Sequence, residues 1–179
     1  MKYTYFFVSV FSFFACDNGK DSPDETGLSP EELCAGQGDS SLTVGYGSGA
    51  EFWPYELGAE VGLAPAPQGG FGVWIRAQTQ GIRAAEGEVP HATTAVLLET
   101  RIDGVVVGSF LNETVEVYCQ EDGKGLLWDV AVGFDPDDYA TNDDLIALDG
   151  QAVELFVEAT DSGGQTASGT VDVVIAVGN

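Results

Sequence analysis

The chain has little positive charge, with only 6 Lys and Arg residues against 29 Asp and Glu. Beyond the N-terminal region its cations are scattered singly, at Lys20, Arg76, Arg83, Arg101 and Lys124. Nucleic acid is bound by Lys and Arg that displace counterions from phosphates, so we exclude nucleic acid as a partner. The acidic excess instead favours solubility, a cation or a basic partner.

Catalytic motifs are also scarce. The chain has one histidine, His91, which follows Pro90 in a predicted loop. There is no HExxH or GxSxG motif and no glycine-rich phosphate loop beside a lysine. Glycosidases use a pair of carboxylates as catalytic groups. With 29 acidic residues in the chain, many pairs occur by chance, so the spacing of acidic residues does not indicate a catalytic pair. We therefore expect a protein that is not an enzyme; an exported hydrolase would require a pocket with converging polar groups.

No hydrophobic run is long enough to cross a membrane as a permanent helix, which needs about 20 apolar residues. The main run is apolar and aromatic, from Tyr5 to Ala15, and Lys2 precedes it. A basic start, a short apolar stretch and a small residue at its end are typical of a secretory signal. We predict that residues 1–15 form a signal peptide.

The end of this run carries a resemblance. Phe13-Phe14-Ala15-Cys16 resembles the bacterial lipobox, although Phe13 stands where that family usually has Leu. The resemblance implies that Cys16 is lipidated and becomes the new N-terminus. It also implies a protein anchored in the bacterial cell envelope, on the periplasmic or surface face, with the membrane as a partner through its N-terminal lipid. Two or more acyl chains hold a protein stably on a bilayer.

With Cys16 lipidated, Cys34 and Cys119 remain as an even pair in an oxidising compartment. This arithmetic predicts a disulfide. The bond would close a loop of about 85 residues, a constraint worth roughly 4 to 5 kcal/mol in the chain-entropy model. The alternative is a pair of free buried thiols.

The remaining chain divides into a tether and one domain. Residues 16–33 are rich in Asp, Glu, Ser, Pro and Gly, and up to Glu32 the only large apolar residue is Leu28. Such a segment cannot bury enough surface to order itself, so we predict an acidic flexible tether. Residues 34–179 have the length of a single domain.

Within this domain, short stretches of alternating apolar and polar residues lie between Gly, Pro, Asn and Asp clusters, which is the pattern of strands. Asp103-Gly104 is a strong hairpin signal. Ser29-Pro30 indicates a helix start, and Asp143 to Leu148 reads as weakly helical. About eight strands in a chain of this length favour an all-β, antiparallel sandwich. The predicted strands are Ser41–Tyr46, Phe71–Thr79, Thr93–Ile102, Val105–Phe110, Thr114–Tyr118, Gly125–Phe134, Gln151–Thr160 and Thr166–Val177.

Two segments resemble known families. The stretch from Ala152 to Ala167, followed by Thr170 to Ile175, resembles the final strand pair of bacterial immunoglobulin-like and PKD-like domains. This resemblance implies an immunoglobulin-like β-sandwich. The stretch from Gly45 to Gly81 is similar to a segment of uncharacterised lipoproteins from predatory and gliding bacteria, which implies no activity.

An acidic stretch offers the hard oxygen donors that Ca²⁺ prefers. A calcium site is therefore possible here. The alternative is a solvated acidic loop, which we favour because the whole chain is acidic and the spacing does not match an EF-hand. The candidate ligands are Asp135, Asp137, Asp138, Asp143 and Asp144, with Asp149 beyond them.

Aromatic residues in a loop rich in Gly and Pro offer a second kind of site. Phe52, Trp53 and Tyr55 lie in this loop, and Trp74 lies on the next predicted strand. Aromatic rings provide large contact areas at low entropic cost, so they suit a protein or glycan ligand. The alternative is that Phe52 and Trp53 close the open end of the sandwich. Trp128, on a strong strand, is predicted to lie in the core.

These observations predict a cell-envelope lipoprotein that acts as a non-catalytic binding or structural module for an unknown ligand. The alternative is a calcium-dependent or carbohydrate-binding module displayed at the surface.

Overall fold

The computed structural model describes residues 27, 29–67, 69–84 and 93–178. The predicted signal peptide at 1–15, Cys16, most of the predicted tether and His91 lie outside these residues. The elements are α1 (Pro30–Cys34), β1 (Ser41–Tyr46), β2 (Trp53–Pro54), β3 (Ala59–Gly62), β4 (Ala64–Pro65), β5 (Phe71–Gln80), β6 (Thr93–Ile102), β7 (Val105–Glu116), β8 (Tyr118–Cys119), β9 (Gly125–Gly133), α2 (Asn142–Ala147), β10 (Ala152–Thr160) and β11 (Thr166–Ala176).

The strands form two sheets that pack as a sandwich. The first sheet has the order β2-β1-β5-β9-β8, with β4 also paired to β5, and the second has the order β3-β11-β10-β6-β7. In both sheets the pairing is antiparallel except between β3 and β11. The strands β1, β5, β9 and β8 follow the order A-B-E-D of immunoglobulin domains, and β11, β10, β6 and β7 follow G-F-C-C′. The predicted all-β sandwich is confirmed, with eleven strands instead of about eight.

The additional strands come from the segment between β1 and β5. The pairs β2 to β1, β3 to β11 and β4 to β5 are each only two to four residues long. Through them the chain crosses from the first sheet to the second and returns. Conversely, the two strands predicted at Val105–Phe110 and Thr114–Tyr118 are largely one strand, β7, which is interrupted only by register shifts against β6.

The core lies between the inner faces of the two sheets and is aliphatic. On β5 the buried positions Val73, Ile75 and Ala77 alternate with outward residues, as the period-two pattern predicts. On β10 every second residue from Val153 to Ala159 is buried. Full burial of a Val, Leu or Ile side chain stabilises the fold by about 1.5 to 3 kcal/mol. The two sheets are therefore held together by their apolar inner faces, which the alternation of apolar and polar residues along the strands predicts.

The hairpin between β6 and β7 turns at Asp103-Gly104, as predicted. Ile102 pairs with Val105, so the turn has two residues. Both have positive φ, 50° at Asp103 and 76° at Gly104. Two-residue turns with this backbone match the right-handed twist of the strands, and Asp and Gly are favoured in them.

The predicted disulfide is confirmed. Cys34 and Cys119 are bonded with an S–S distance of 2.00 Å, and their Cα atoms are 5.7 Å apart. The bond joins the end of α1 to β8, whereas antibody domains join the second and sixth strands of the sandwich. The helix begins at a capping box formed by Ser29 and Glu32. Leu33 and Cys34 are buried, so α1 belongs to the folded body. Within the described ranges, no helix has the length and apolarity that membrane crossing requires.

Asp161, in the turn between β10 and β11, is a buried carboxylate that joins two loops. Its Oδ1 accepts hydrogen bonds from the backbone N–H groups of Gly163 and Gln165, at 2.8 and 3.0 Å. Its Oδ2 accepts one from the backbone N–H of Arg83, at 3.0 Å, beyond the end of β5. Burial raises the pKa of Asp161 and is the largest single influence. The three N–H donors and the Arg83 charge outweigh it, so the pKa lies below its ordinary value of 3.8.

We predict that Asp161→Asn destabilises the protein by about 1 to 3 kcal/mol at pH 7, because charge-assisted hydrogen bonds are lost. A lowered pKa means that the carboxylate stabilises the fold above its unfolded-state pKa, about 3.9, and that this is lost as pH falls through the folded-state value. The difference from wild type in urea unfolding is therefore expected to shrink below about pH 4. The exposed Asp172→Asn is the matched control. An equal difference at pH 3 and pH 7 would contradict the role of the ionised carboxylate.

Candidate functional site

All three tryptophans of the chain lie outside the core, on strands of the first sheet. Trp53 on β2 is 43% exposed, Trp74 on β5 is 40% exposed and Trp128 on β9 is 43% exposed. Tryptophan is highly buried on average in folded proteins, so an exposure of this size in all three residues is unusual. Three such residues on one sheet therefore mark it as the candidate recognition side of the sandwich.

The first sheet borders a cleft of about 440 Å³, which we call the aromatic cleft. It lies where the chain crosses from the first sheet to the second, and its size is within the range of about 300 to 1,000 Å³ usual for ligand pockets. Its walls come from the end of β1, the segment through β3 and β4, and the start of β5. The lining residues are Tyr46, Tyr55, Ala59, Glu60, Val61, Gly62, Ala64, Val73 and Trp74.

The aromatic rings of the cleft support one another. The ring centroid of Tyr46 lies 5.1 Å from that of Tyr55 and 5.7 Å from that of Trp53, in tilted arrangements. These distances are in the favourable range for aromatic pairs. The Trp74 indole Nε1 donates to the Pro65 carbonyl at 3.2 Å, which orients the ring. Burial, followed by the neighbouring Tyr46, raises the pKa of Tyr55, so its hydroxyl stays protonated.

A glycine allows the loop that carries Phe52 and Trp53 to fold back over β1. Gly45 faces the loop, and a Cβ at this position would lie 2.8 Å from the ring of Phe52 and would also clash with the Trp53 carbonyl. The absence of a side chain therefore lets Phe52 cover the strand. Phe52 is half-buried, whereas Trp53 stays exposed. Phe52 thus packs on the sheet, and Trp53 does not close the end of the sandwich as the alternative interpretation required.

Arg76 fixes the other side of the same loop. Its side chain is only 6% exposed, although it points to the outer face of β5. Its Nε and Nη2 atoms donate to the two carboxylate oxygens of Asp129 at 2.9 and 3.2 Å. Its Nη1 donates to the backbone carbonyls of Gly49 and Glu51 at 2.6 and 3.1 Å. One guanidinium therefore ties the loop that leads to the cleft onto strands β5 and β9.

The pairing of Arg76 with Asp129 depends on a β-bulge. Ile75 pairs with Val130 and Ala77 with Leu127, so one residue of β5 lies opposite two residues of β9. Asp129 takes a positive φ of 37° at this point. A bulge of this kind redirects side chains locally.

The same bulge overturns one prediction. Trp128 was expected in the core, but its indole lies on the surface and stacks on Tyr118 with ring centroids 4.7 Å apart. The period-two pattern predicts which face of the sheet a side chain lies on only while each residue pairs with one residue of the neighbouring strand. The extra residue of the bulge breaks this condition on β9. Trp128 and Tyr118 form a second aromatic pair, outside the cleft.

The predicted calcium ligands are not brought together. Asp135 accepts from the backbone N–H of Asp137 at 2.9 Å, and Asp144 caps α2 by bonding with Thr141. Hydrogen bonds from the Thr141 side chain and then its backbone lower the pKa of Asp144. Asp138 and Asp143 are exposed. In the part of the chain that the structure describes, no three His, Cys, Asp or Glu side chains are grouped so that they could hold a metal ion.

Of the ligand-binding candidates, the structure places Tyr55 and Trp74 in one cleft, with Trp53 beside them through Tyr46. Sequence reasoning missed Tyr46 and Glu60. The available signal for Tyr46 was its place at the end of a predicted strand, directly before a glycine-rich loop. No local pattern marks Glu60, because its position depends on β3 joining the second sheet.

No protein-family model matches the chain, and the search of curated proteins found no match. Function is therefore inferred from the geometry and chemistry of the cleft. The lining contains several aromatic rings, two phenol hydroxyls and the Glu60 carboxylate. This set suits the binding of a ligand that has both apolar and hydrogen-bonding surfaces.

We predict that Arg76→Lys loosens the loop from Gly49 to Tyr55, because a lysine cannot bind both Asp129 oxygens and both carbonyls at once. Amide hydrogen exchange in this loop should become at least about tenfold faster, as expected for the loss of about 1.4 kcal/mol of local stability. Arg101→Lys, on the second sheet, is the matched control. Unchanged exchange in the loop of the Arg76 variant would contradict the positioning role.

Proposed function

We propose that this protein is a bacterial cell-envelope lipoprotein whose immunoglobulin-like sandwich acts as a non-catalytic binding module through the aromatic cleft. The observation that carries the proposal is the grouping of Tyr46, Tyr55 and Trp74 around one cleft, with Trp53 against its rim. Aromatic rings are enriched at the residues that dominate binding energy.

The envelope location is supported by the N-terminal sequence and by the disulfide of the folded domain. The lipobox-like segment ending at Cys16 accounts for export and anchoring, and the acidic stretch after it suits a tether. The disulfide between Cys34 and Cys119 fits an oxidising compartment outside the cytoplasm.

The lining of the cleft favours binding over catalysis. It offers Glu60 and two tyrosine hydroxyls, but among its lining residues there is no Ser, Cys, His or Lys. The common nucleophiles Ser, Cys and Lys and the most common general base, His, are therefore absent from the described residues of the lining. Hydrolysis by a carboxylate pair would need a second acidic side chain, and the lining has only one.

Carbohydrate is a candidate ligand class, and the exposed rings of the cleft favour it. A sugar has apolar faces that stack on aromatic rings and hydroxyl groups that the carboxylate and phenols of the cleft can bond. A peptide side chain would meet the same requirements. Calcium binding is not proposed, since among the described residues no three acidic side chains are grouped so that they could hold a metal ion.

The experiment that tests the proposal is binding of the intact chain to an array of envelope glycans and peptides. We expect Trp74→Ala and Tyr55→Ala each to weaken binding by at least tenfold, as truncation of a buried aromatic anchor does. Trp128→Ala is the matched control, because Trp128 has the same side chain and nearly the same exposure on the same sheet. Equal loss in all three variants, or an array without signal for wild type, would refute a binding role for the cleft.

Lipidation is tested separately at the N-terminus. We predict that chain purified from envelopes begins at Cys16 and carries acyl mass in intact mass spectrometry, as the lipobox resemblance implies. Cys16→Ser should remove this mass and release the chain into the aqueous fraction, because the acyl chains hold it on the bilayer. If the wild-type chain begins at another residue and carries no acyl mass, the proposed lipid anchor at Cys16 is contradicted.

A further inference from the structure

We infer that the aromatic cleft binds the ammonium group of an organic cation. This inference rests on the proposed function, since it specifies the ligand class of the same cleft. Its basis is the combination of ring faces with negative charge and the way in which the protein's described cations are engaged.

The first observation is the chemistry of the walls. Tyr46, Tyr55 and Trp74 present π systems to a single cleft. The face of an aromatic ring is electronegative and attracts a cation placed within about 6 Å of the ring centroid, most strongly for tryptophan. Several rings around one space are the arrangement that recognises quaternary and methylated ammonium groups.

The second observation is the charge of the lining. Among the described residues, Glu60 is the only charged one that lines the cleft, and no Lys or Arg lines it. The nearest strand with a cation is β5, where Arg76 is engaged by Asp129 and by two loop carbonyls. A cationic ligand would therefore meet rings and a carboxylate without competition from a basic side chain. An anionic ligand would find no basic side chain among the described lining residues and would be repelled by a chain of net charge −23.

The protein already uses this interaction elsewhere. On the outer face of the second sheet, the Arg101 guanidinium lies 4.2 Å from the ring centroid of Phe156. Two carboxylates, of Glu99 and Glu154, bond to the same guanidinium at 2.6 and 2.8 Å. There the cation comes from the chain itself. In the cleft, rings and a carboxylate are present together, and none of the described residues that line it is a cation.

The test compares cations with neutral molecules of the same shape. Choline and its neutral isostere 3,3-dimethylbutan-1-ol are titrated into the intact chain, and the shifts of the tryptophan indole N–H signals are followed by NMR. We expect choline to bind at least about tenfold more tightly, since the isostere lacks the charge that the ring faces attract. Trp74→Ala should abolish choline binding, Glu60→Gln should weaken it by about two- to fivefold, and Trp128→Ala should leave it unchanged.

Two further pairs distinguish the sources of the ammonium group. Nα-acetyl-lysine amide against Nα,Nε-diacetyl-lysine amide represents a basic peptide, and glucosamine against N-acetylglucosamine represents an amino sugar. Tighter binding of the charged member in one pair assigns the source and supports the inference.

The possible failures are separable. Equal binding of charged and neutral members in all pairs would refute the cation inference and leave the cleft as a binding site. The same holds if none of these probes binds while glycans or peptides on the array still require Trp74 and Tyr55. If the array is also silent, both the inference and the proposed function are refuted.

Discussion

Packing of the two sheets through aliphatic side chains is the interaction on which the other features of this molecule depend. The inner faces carry Val, Ile, Leu and Ala, and two face-to-face sheets leave a layer about 10 Å thick between them. Residues such as Ile75 and Leu155 fill this layer from opposite sides. With the interior filled, the tryptophans lie on the outside of the first sheet, where they can contact a ligand.

Two of the described cations, Arg76 and Arg101, each join separate segments of the fold. Arg76 joins β5, β9 and the loop before β2, and Arg101 joins two strands of the second sheet. Arg76 binds the Asp129 carboxylate in a bidentate manner and also bonds to two loop carbonyls, whereas Arg101 binds the carboxylates of Glu99 and Glu154. The aromatic cleft is left with negative charge and ring faces. Its proposed preference for a cation follows from this distribution.

Local patterns predicted the long strands because alternation, turn residues and β-branched side chains all agree there. Strands β1 and β6 have the predicted bounds, and Asp103-Gly104 turns as expected. The disulfide was predictable by counting cysteines, since a paired state is the norm outside the cytoplasm. The prediction failed where the position of a side chain depends on how two strands pair. Trp128 was misplaced because a bulge is a property of two strands in register, and one strand's sequence does not show it.

The amino-acid sequence by itself determined the fold class, the inner face of most strands and the pairing of Cys34 with Cys119, because these depend on side-chain periodicity and composition. Only the tertiary structure decided that Tyr46, Tyr55, Glu60 and Trp74 meet in one cleft. Their segments belong to different sheets, and the short strands that bring them together are held by pairing with neighbouring strands and by burial of Val61 in the core. A site of this kind forms from contacts between distant parts of the chain, which no local pattern encodes.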